Sequence, residues 1–235
     1  MEKYKSSDTH SYALGTSLTI EALKHVPEQI EAVYLSEKVI KNEQLSYLLD
    51  LCHQNNIEPV YDESVIEKLS LKENCYCIGV FKKFYKELNS NKHIVLYKFD
   101  DFGELGTILR SAVSFDFNDI VLVDSDIDYF DPRCIRASMG SIFHVNIIRF
   151  DDIMDYLNAY PENFVYPFVP HGGHELKELK VYEPYSVIIP QKYHGLDPIF
   201  KEGYYLKHSN MDEISLSSLS SIVFSYIYHL SNLKR

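Results

Sequence analysis

No apolar run in this chain approaches the ~20 residues that a membrane-spanning helix needs. Its first residues, MEKYKSSDTHSY, lack the apolar core of a secretory signal. Four cysteines, Cys52, Cys75, Cys77 and Cys134, are too few and too scattered for a disulfide framework, and none forms a CxxC pair. These absences predict a reduced, cytoplasmic setting and no membrane partner. Positive charge is also short: 23 Lys and Arg face 34 Asp and Glu, for a net charge of −11. Nucleic-acid binders more often carry a basic excess, because phosphate neutralisation dominates their affinity. Only a local patch would serve here; Lys82, Lys83, Lys86 and Lys92 form one, and a solvated linker explains them equally well. No internal repeat, Walker-type loop, nucleophile elbow or dinucleotide fingerprint is present.

What is present is the pattern of an α/β protein. The 235 residues are 46% apolar and 24% charged, enough for one large domain or two small ones. In the first half, SYALGTSLTIEALKHV has helical periodicity, EAVYLS reads as a strand, NEQLSYLLDLCHQNN as a helix and IEPVYD as a strand. SVIEKLSL and YCIGVFKKF continue the alternation, and the polar YKELNSNKH reads as a linker. The second half runs IVLYKF, LGTILRSAVSF, DIVLVDS, DPRCIRASMGSIF, HVNIIRF, a helix capped by Asp151, FVYPFV, SVIIP, YYLKHS and a closing helix SLSSLSSIVFSYIYHL. Short apolar strands separated by helices predict a parallel sheet covered on both faces.

In such sheets ligands sit at the carboxyl ends of the strands. The loops after Phe99, Ser125 and Ser209 and the IIPQKYHGLD turn therefore belong to one edge. In DPRCIRASMGSIF, Asp131 and Pro132 suit the start of a helix, with Arg133 and Arg136 on one face near its positive end. Two guanidiniums there would hold a phosphate; two surface arginines on a packed helix are the plainer reading. His171 and His174 in HGGH lack further ligands at metal spacing, so a polar loop is expected and no metal. Cys75 and Cys77 read as buried apolar thiols on one strand face. The 19 tyrosines are explained mostly by packing.

DPRCIRASMGSIF closely resembles a signature stretch of the SpoU/TrmH-type RNA ribose methyltransferases of the knotted SPOUT superfamily. GELGTILRSAVSFDFNDIVLVDSD, FVYPFVPHGGHELKELK, SVIIPQKYHGLDP and ISLSSLSSIVFSY follow the family's order and spacing. The resemblance implies residues 1–90 as a small ribosomal-protein-like α/β sandwich that binds RNA substrate. It implies residues 91–235 as a SPOUT domain with a trefoil knot, S-adenosylmethionine (SAM) in the knot loops, and a homodimer. The implied activity is 2′-O-methylation of a ribose in tRNA or rRNA, with Arg133 and Arg136 on RNA phosphate.

Carried over residue by residue, the family's motifs are altered. The first, Asn-x-Gly-x-x-x-Arg, keeps Gly106 and the catalytic Arg110 but has Glu104 for Asn. An ionised Glu donates no hydrogen bond; it would pair with Arg110 or repel a phosphate. The second, Gly-x-Glu-Gly-x-Gly-Leu, reads PQKYHGL: Gly195 and Leu196 match, while Pro190, Lys192 and Tyr193 replace Gly, Glu and Gly. Bare backbone against a ligand is lost at the glycine positions, and Pro190 has no N–H. The third, Ser-Leu-Asn, keeps Ser215 and Leu216 but has Ser217, which could still cap the helix. These changes fall on cofactor and catalytic positions, so the expectation is either an enzyme with an eccentric SAM pocket or a silent relative that binds RNA or protein.

Overall fold

The computed structural model describes residues 2–70, 74–169, 173–191, 203–207 and 214–232. The chain packs as two compact units, Met1–Phe84 with Asp128–His144, and Tyr85–Ile127 with Val145–Arg235.

The first unit contains β1 (His10–Leu14), α1 (Thr16–His25), β2 (Ile30–Leu35), α2 (Glu43–Gln54), β3 (Val60–Tyr61), α3 (Glu63–Leu69) and β4 (Cys77–Lys82). Its sheet runs β1-β4-β2-β3, with β4 antiparallel to both neighbours and only β2–β3 parallel. The expectation of parallel strands throughout is therefore corrected here. β4, CIGVFK, is buried along almost its whole length and takes the centre, between the two parallel strands of the β1–α1–β2 crossover. A second correction falls on SYAL, which is strand and not helix: Gly15, at φ 116°, ends β1 and turns the chain into α1. Cys75 lies outside β4, so it does not share a strand face with Cys77; it donates to the Cys77 carbonyl instead. Burial pushes the Cys77 thiol up to about 12 and Cys52 up to about 11, which keeps both protonated and inert.

The second unit holds β5 (Lys92–Tyr97), α4 (Phe102–Ser114), β6 (Asp119–Val123), and, after the first-unit helix α5 (Pro132–Ala137), β7 (Asn146–Phe150) and α6 (Ile153–Ala159). β8 (Phe164–Pro167), β9 (His174–Glu175), β10 (Tyr185–Pro190), β11 (Tyr204–Tyr205) and α7 (Leu216–Asn232) complete it. Five strands form a wholly parallel sheet in the order β7-β6-β5-β10-β8. Its central strands bury Ile94, Val95, Leu96, Val121, Leu122 and Ile188 completely, each worth about 1.5–3 kcal/mol relative to exposure. Side chains of α7 reach α4 and its end, through Ser221 to Ser111 at 2.7 Å and Phe224 against Phe117. Aspartates cap the helices: Asp101 accepts from Glu104 N at 2.7 Å, and Asp152, one residue beyond the expected Asp151, caps α6. Of YYLKHS, Tyr204–Tyr205 pairs as a strand; His208 and Ser209 lie outside the described residues.

Close packing explains the second half of HGGH, Gly173 and His174. Gly173 has φ 73°, and a Cβ there would sit 2.0 Å from the Gly203 carbonyl oxygen, while His174 N donates to that same oxygen at 3.0 Å. His174 faces Glu178 at 3.8 Å, and His171 lies outside the described residues. Gly173→Ala is expected to cost more than about 2 kcal/mol, from backbone strain and the clash together. Chemical denaturation should show it, and an unchanged midpoint would contradict the packing.

Candidate functional site

The strand order reverses between β5 and β10: the chain winds outward through β6 and β7 from one, and reaches the other from the opposite edge at β8. An open parallel sheet leaves a crevice at such a point, outside the carboxyl ends of the two strands. β5 ends at Tyr97, β6 at Val123 and β10 at Pro190, so the loops after Phe99 and Ser125 and the start of the PQKYHGL turn share this edge as expected.

Backbone at the edge is held in unusual conformations. Lys98 and Asp124, each directly after a strand, have φ of 61° and 48°, a conformation that costs non-glycine residues of order 1–3 kcal/mol. Lys98 N bonds to the Val123 carbonyl at 2.9 Å, and Ser125 Oγ to the Phe99 carbonyl at 2.6 Å. Arg149 anchors the β6 loop by donating to the Ser125 carbonyl at 2.6 Å and to the Ile127 carbonyl.

Pro190 ends β10 opposite Tyr97. Gln191 N bonds to Tyr97 O at 3.0 Å, whereas the last bond on the β8 side is Phe168 N to Ile188 O at 2.8 Å, and Pro190, with no N–H, donates none beyond it. Proline at the last position of the strand ends the ladder there.

Gln191, which the motif comparison passes over, joins the two loops. Its Oε1 accepts from Asp100 N at 2.6 Å, and its Nε2 donates to Glu104 Oε2 at 3.2 Å. Glu104 is therefore engaged across the crevice, and no ion pair joins it to Arg110 among the described residues. The reason is helical geometry: six residues apart in α4, the two are about 240° apart around the axis. Half-burial raises the Glu104 pKa above its ordinary value; Asp101 raises it further, and the Gln191 bond offsets part of the rise. Arg110 is exposed on α4.

At the third motif, Ser215 and not Ser217 caps α7: its Oγ accepts from Ser218 N at 3.2 Å. Ser217 Oγ lies 3.1 Å from Ser215 Oγ, and Leu216 begins the helix. Lys192, Tyr193, Gly195 and Leu196 lie outside the described residues. Arg133 and Arg136 belong to the first unit, where α5 is one and a half turns long. The Arg133 guanidinium is already forked onto Asp131, at 2.9 and 2.8 Å, which raises its pKa. The basic cluster is also partly spent: Lys83 pairs with Asp128 at 3.1 Å and covers the Tyr4 ring, and Lys92 faces Glu183 at 3.6 Å.

A raised carboxylate pKa means that the folded state favours protonated Glu104. Its contribution to stability is present below the unfolded value and lost as pH rises through the folded one. Glu104→Gln is therefore expected to raise Tm at pH 7 and to leave it unchanged near pH 3.5; an equal fall at both would contradict this electrostatic reading.

With this geometry in place, comparison with known proteins is informative. Residues 91–202 match the SpoU rRNA Methylase family. The 23S rRNA (guanosine(2553)-2′-O)-methyltransferase RlmP of Bacillus subtilis is 24% identical over 152 residues, covering 62% of this chain and 60% of that protein. The mitochondrial rRNA methyltransferase 3 of Xenopus tropicalis is 35% identical over 68 residues, 28% of this chain and 16% of its own length. The chain thus spans less than two thirds of either relative. Among solved structures, AdoMet-bound rRNA methyltransferase from Sinorhizobium meliloti superposes with a TM-score of 0.76 at 19% identity, covering 94% of this chain and 87% of that one. The SpoU methyltransferase AviRb from Streptomyces viridochromogenes, in complex with AdoMet, gives 0.78 at 13% identity, covering 97% and 92%. These likenesses establish the α/β fold with its parallel sheet, and residues 91–202 of this chain are similar in sequence to the SpoU rRNA Methylase family.

Proposed function

We propose that this chain is a SAM-dependent RNA 2′-O-ribose methyltransferase whose reaction centre lies at the carboxyl ends of β5 and β10. The observation that carries the reading is the reversal of strand order at that place, where Glu104, Gln191 and the start of the second motif converge. The relatives' printed activities, methylation of rRNA, support it.

Fit to SAM is mixed among the described residues. Ser215 and Ser218 present hydroxyls at the start of α7 that suit a polar ligand, whereas Pro190 offers no donor. When bound, SAM supplies an electrophilic methyl group. Pro190, Lys192, Gly195, Leu196, Ser215 and Leu216 are the residues proposed to hold it, in knotted loops. Arg110 is the proposed partner of the ribose 2′-oxygen, where its guanidinium would stabilise developing negative charge, and Glu104 and Ser217 are the other residues proposed for catalysis. Arg133 and Arg136 are proposed to meet RNA phosphate, Arg133 exchanging Asp131 for it. We assign residues 1–90 to RNA binding as a small sandwich and residues 91–235 to the methyltransferase domain, acting in the cytoplasm as a homodimer. Ile222 and Tyr228, each 39% exposed on α7, are apolar surface that suits such a pairing.

A second reading rests on one bond. Gln191 holds Glu104 where the family has an amide, so that position already serves as structure, as in a relative that has kept the fold and lost methyl transfer. Incubation with SAM carrying a labelled methyl group and rRNA or tRNA decides between them. The enzyme reading expects label at ribose 2′-oxygens, reduced about 10²-fold or more in Arg110→Ala. RNA binding without label, unrestored by combining Glu104→Asn, Pro190→Gly, Lys192→Glu and Tyr193→Gly, would establish the silent relative.

A further inference from the structure

On the first unit, three side chains converge without any part in that reaction, one of them directly after the DPRCIRASMGSIF stretch. Glu21 and His25 occupy successive turns of α1 on one face, and His144 follows the short 3-10 turn Ser141–Phe143. Glu21 Oε2 lies 2.8 Å from His144 Nε2 and 3.6 Å from His25 Nε2. The imidazole rings are tilted 37° to one another with centroids 3.7 Å apart, and one donor atom from each of the three residues lies within 4.8 Å of the others. We propose that Glu21, His25 and His144 form a binding site for one divalent cation of the zinc class.

Geometry favours this over a simple ion pair. Two ligands at about 2.1 Å from zinc, at a tetrahedral angle, lie about 3.4 Å apart. The two measured separations bracket that value, so small side-chain rotations suffice. The carboxylate is divided in a suitable way: Lys24 takes Oε1 at 3.0 Å, leaving Oε2 to face both imidazoles as a monodentate ligand. Two imidazole nitrogens select zinc, nickel or copper over magnesium or calcium, which prefer all-oxygen sites. Three protein donors leave a fourth position for water.

The backbone is arranged for the same approach. Gly140 has φ 86°, and a Cβ there would lie 2.9 Å from Glu21 Cβ. Only glycine lets the segment that carries His144 come so close to α1. The cation would clamp Asp128–His144 onto α1 within the first unit. Because the three ligands assemble only when the unit folds, binding would also raise its resistance to unfolding. The sequence predicts no metal because Glu21 and His144 are 123 positions apart and form no spacing motif.

The test uses the full chain, stripped with chelator and titrated with zinc chloride by calorimetry, with cobalt(II) absorption as a second readout. The expected result is one zinc per chain with micromolar affinity, weakened at least tenfold in His25→Ala and in His144→Ala. His174→Ala should bind as the wild type does. Cobalt should give the intense visible bands of a tetrahedral site, absent from both histidine variants. Circular dichroism checks that the variants fold; should they not, the wild type alone decides, by a zinc-dependent rise in Tm that chelator reverses. Absence of that rise, no binding at millimolar zinc, or undiminished binding in the His25→Ala, His144→Ala double variant would each overturn the proposal.

Discussion

The parallel pairing of β5 with β10 is the constraint on which the rest of the second unit depends. Strands adjacent in the sheet but far apart in the chain can lie side by side only if the intervening helices leave by opposite edges. That arrangement opens the crevice at their carboxyl ends, and it brings residues near 100 against residues near 190. Apolar strand interiors drive the pairing, since Ile94–Leu96 and Val187–Ile189 are almost entirely buried. The edge is polar because the backbone there has run out of ladder partners and must be satisfied by side chains.

Gln191 performs that satisfaction, and Glu104 is what it costs. A half-buried carboxylate beside Asp100 and Asp101 is unfavourable, and one amide donor offsets only part of the repulsion. Together with the left-handed backbone at Lys98 and Asp124, this concentrates unfavourable geometry and charge on one edge of an otherwise conventional sheet. Such concentration is a common feature of ligand sites. Here it coincides with the place that strand topology designates, and the two lines of argument are independent.

Periodicity made the parallel sheet and its helices legible, because buried strands read as short apolar runs and capping aspartates mark helix starts. It failed where tertiary pairing overrides local pattern. SYAL looks helical beside α1, yet pairs with β4; the first sheet is mixed, with the buried strand β4 antiparallel to both its neighbours and only β2–β3 parallel. The family resemblance pointed to Glu104, Arg110, Pro190 and Ser215 as site residues and allowed Ser217 the capping role that Ser215 plays. It passed over Gln191, which stands at a variable position of the motif and is significant only through its hydrogen bonds. The cluster of Glu21, His25 and His144 was invisible for a similar reason: contact between distant segments leaves no spacing signal.

The most direct test of the site is hydrogen exchange, followed by mass spectrometry, with and without SAM at saturating concentration. If the crevice between β5 and β10 receives the ligand, peptides spanning residues 98–106 and 190–200 should slow their exchange. The helices of the first unit should remain unchanged. Protection confined to other segments, or none at a ligand concentration that calorimetry shows to be bound, would contradict the account.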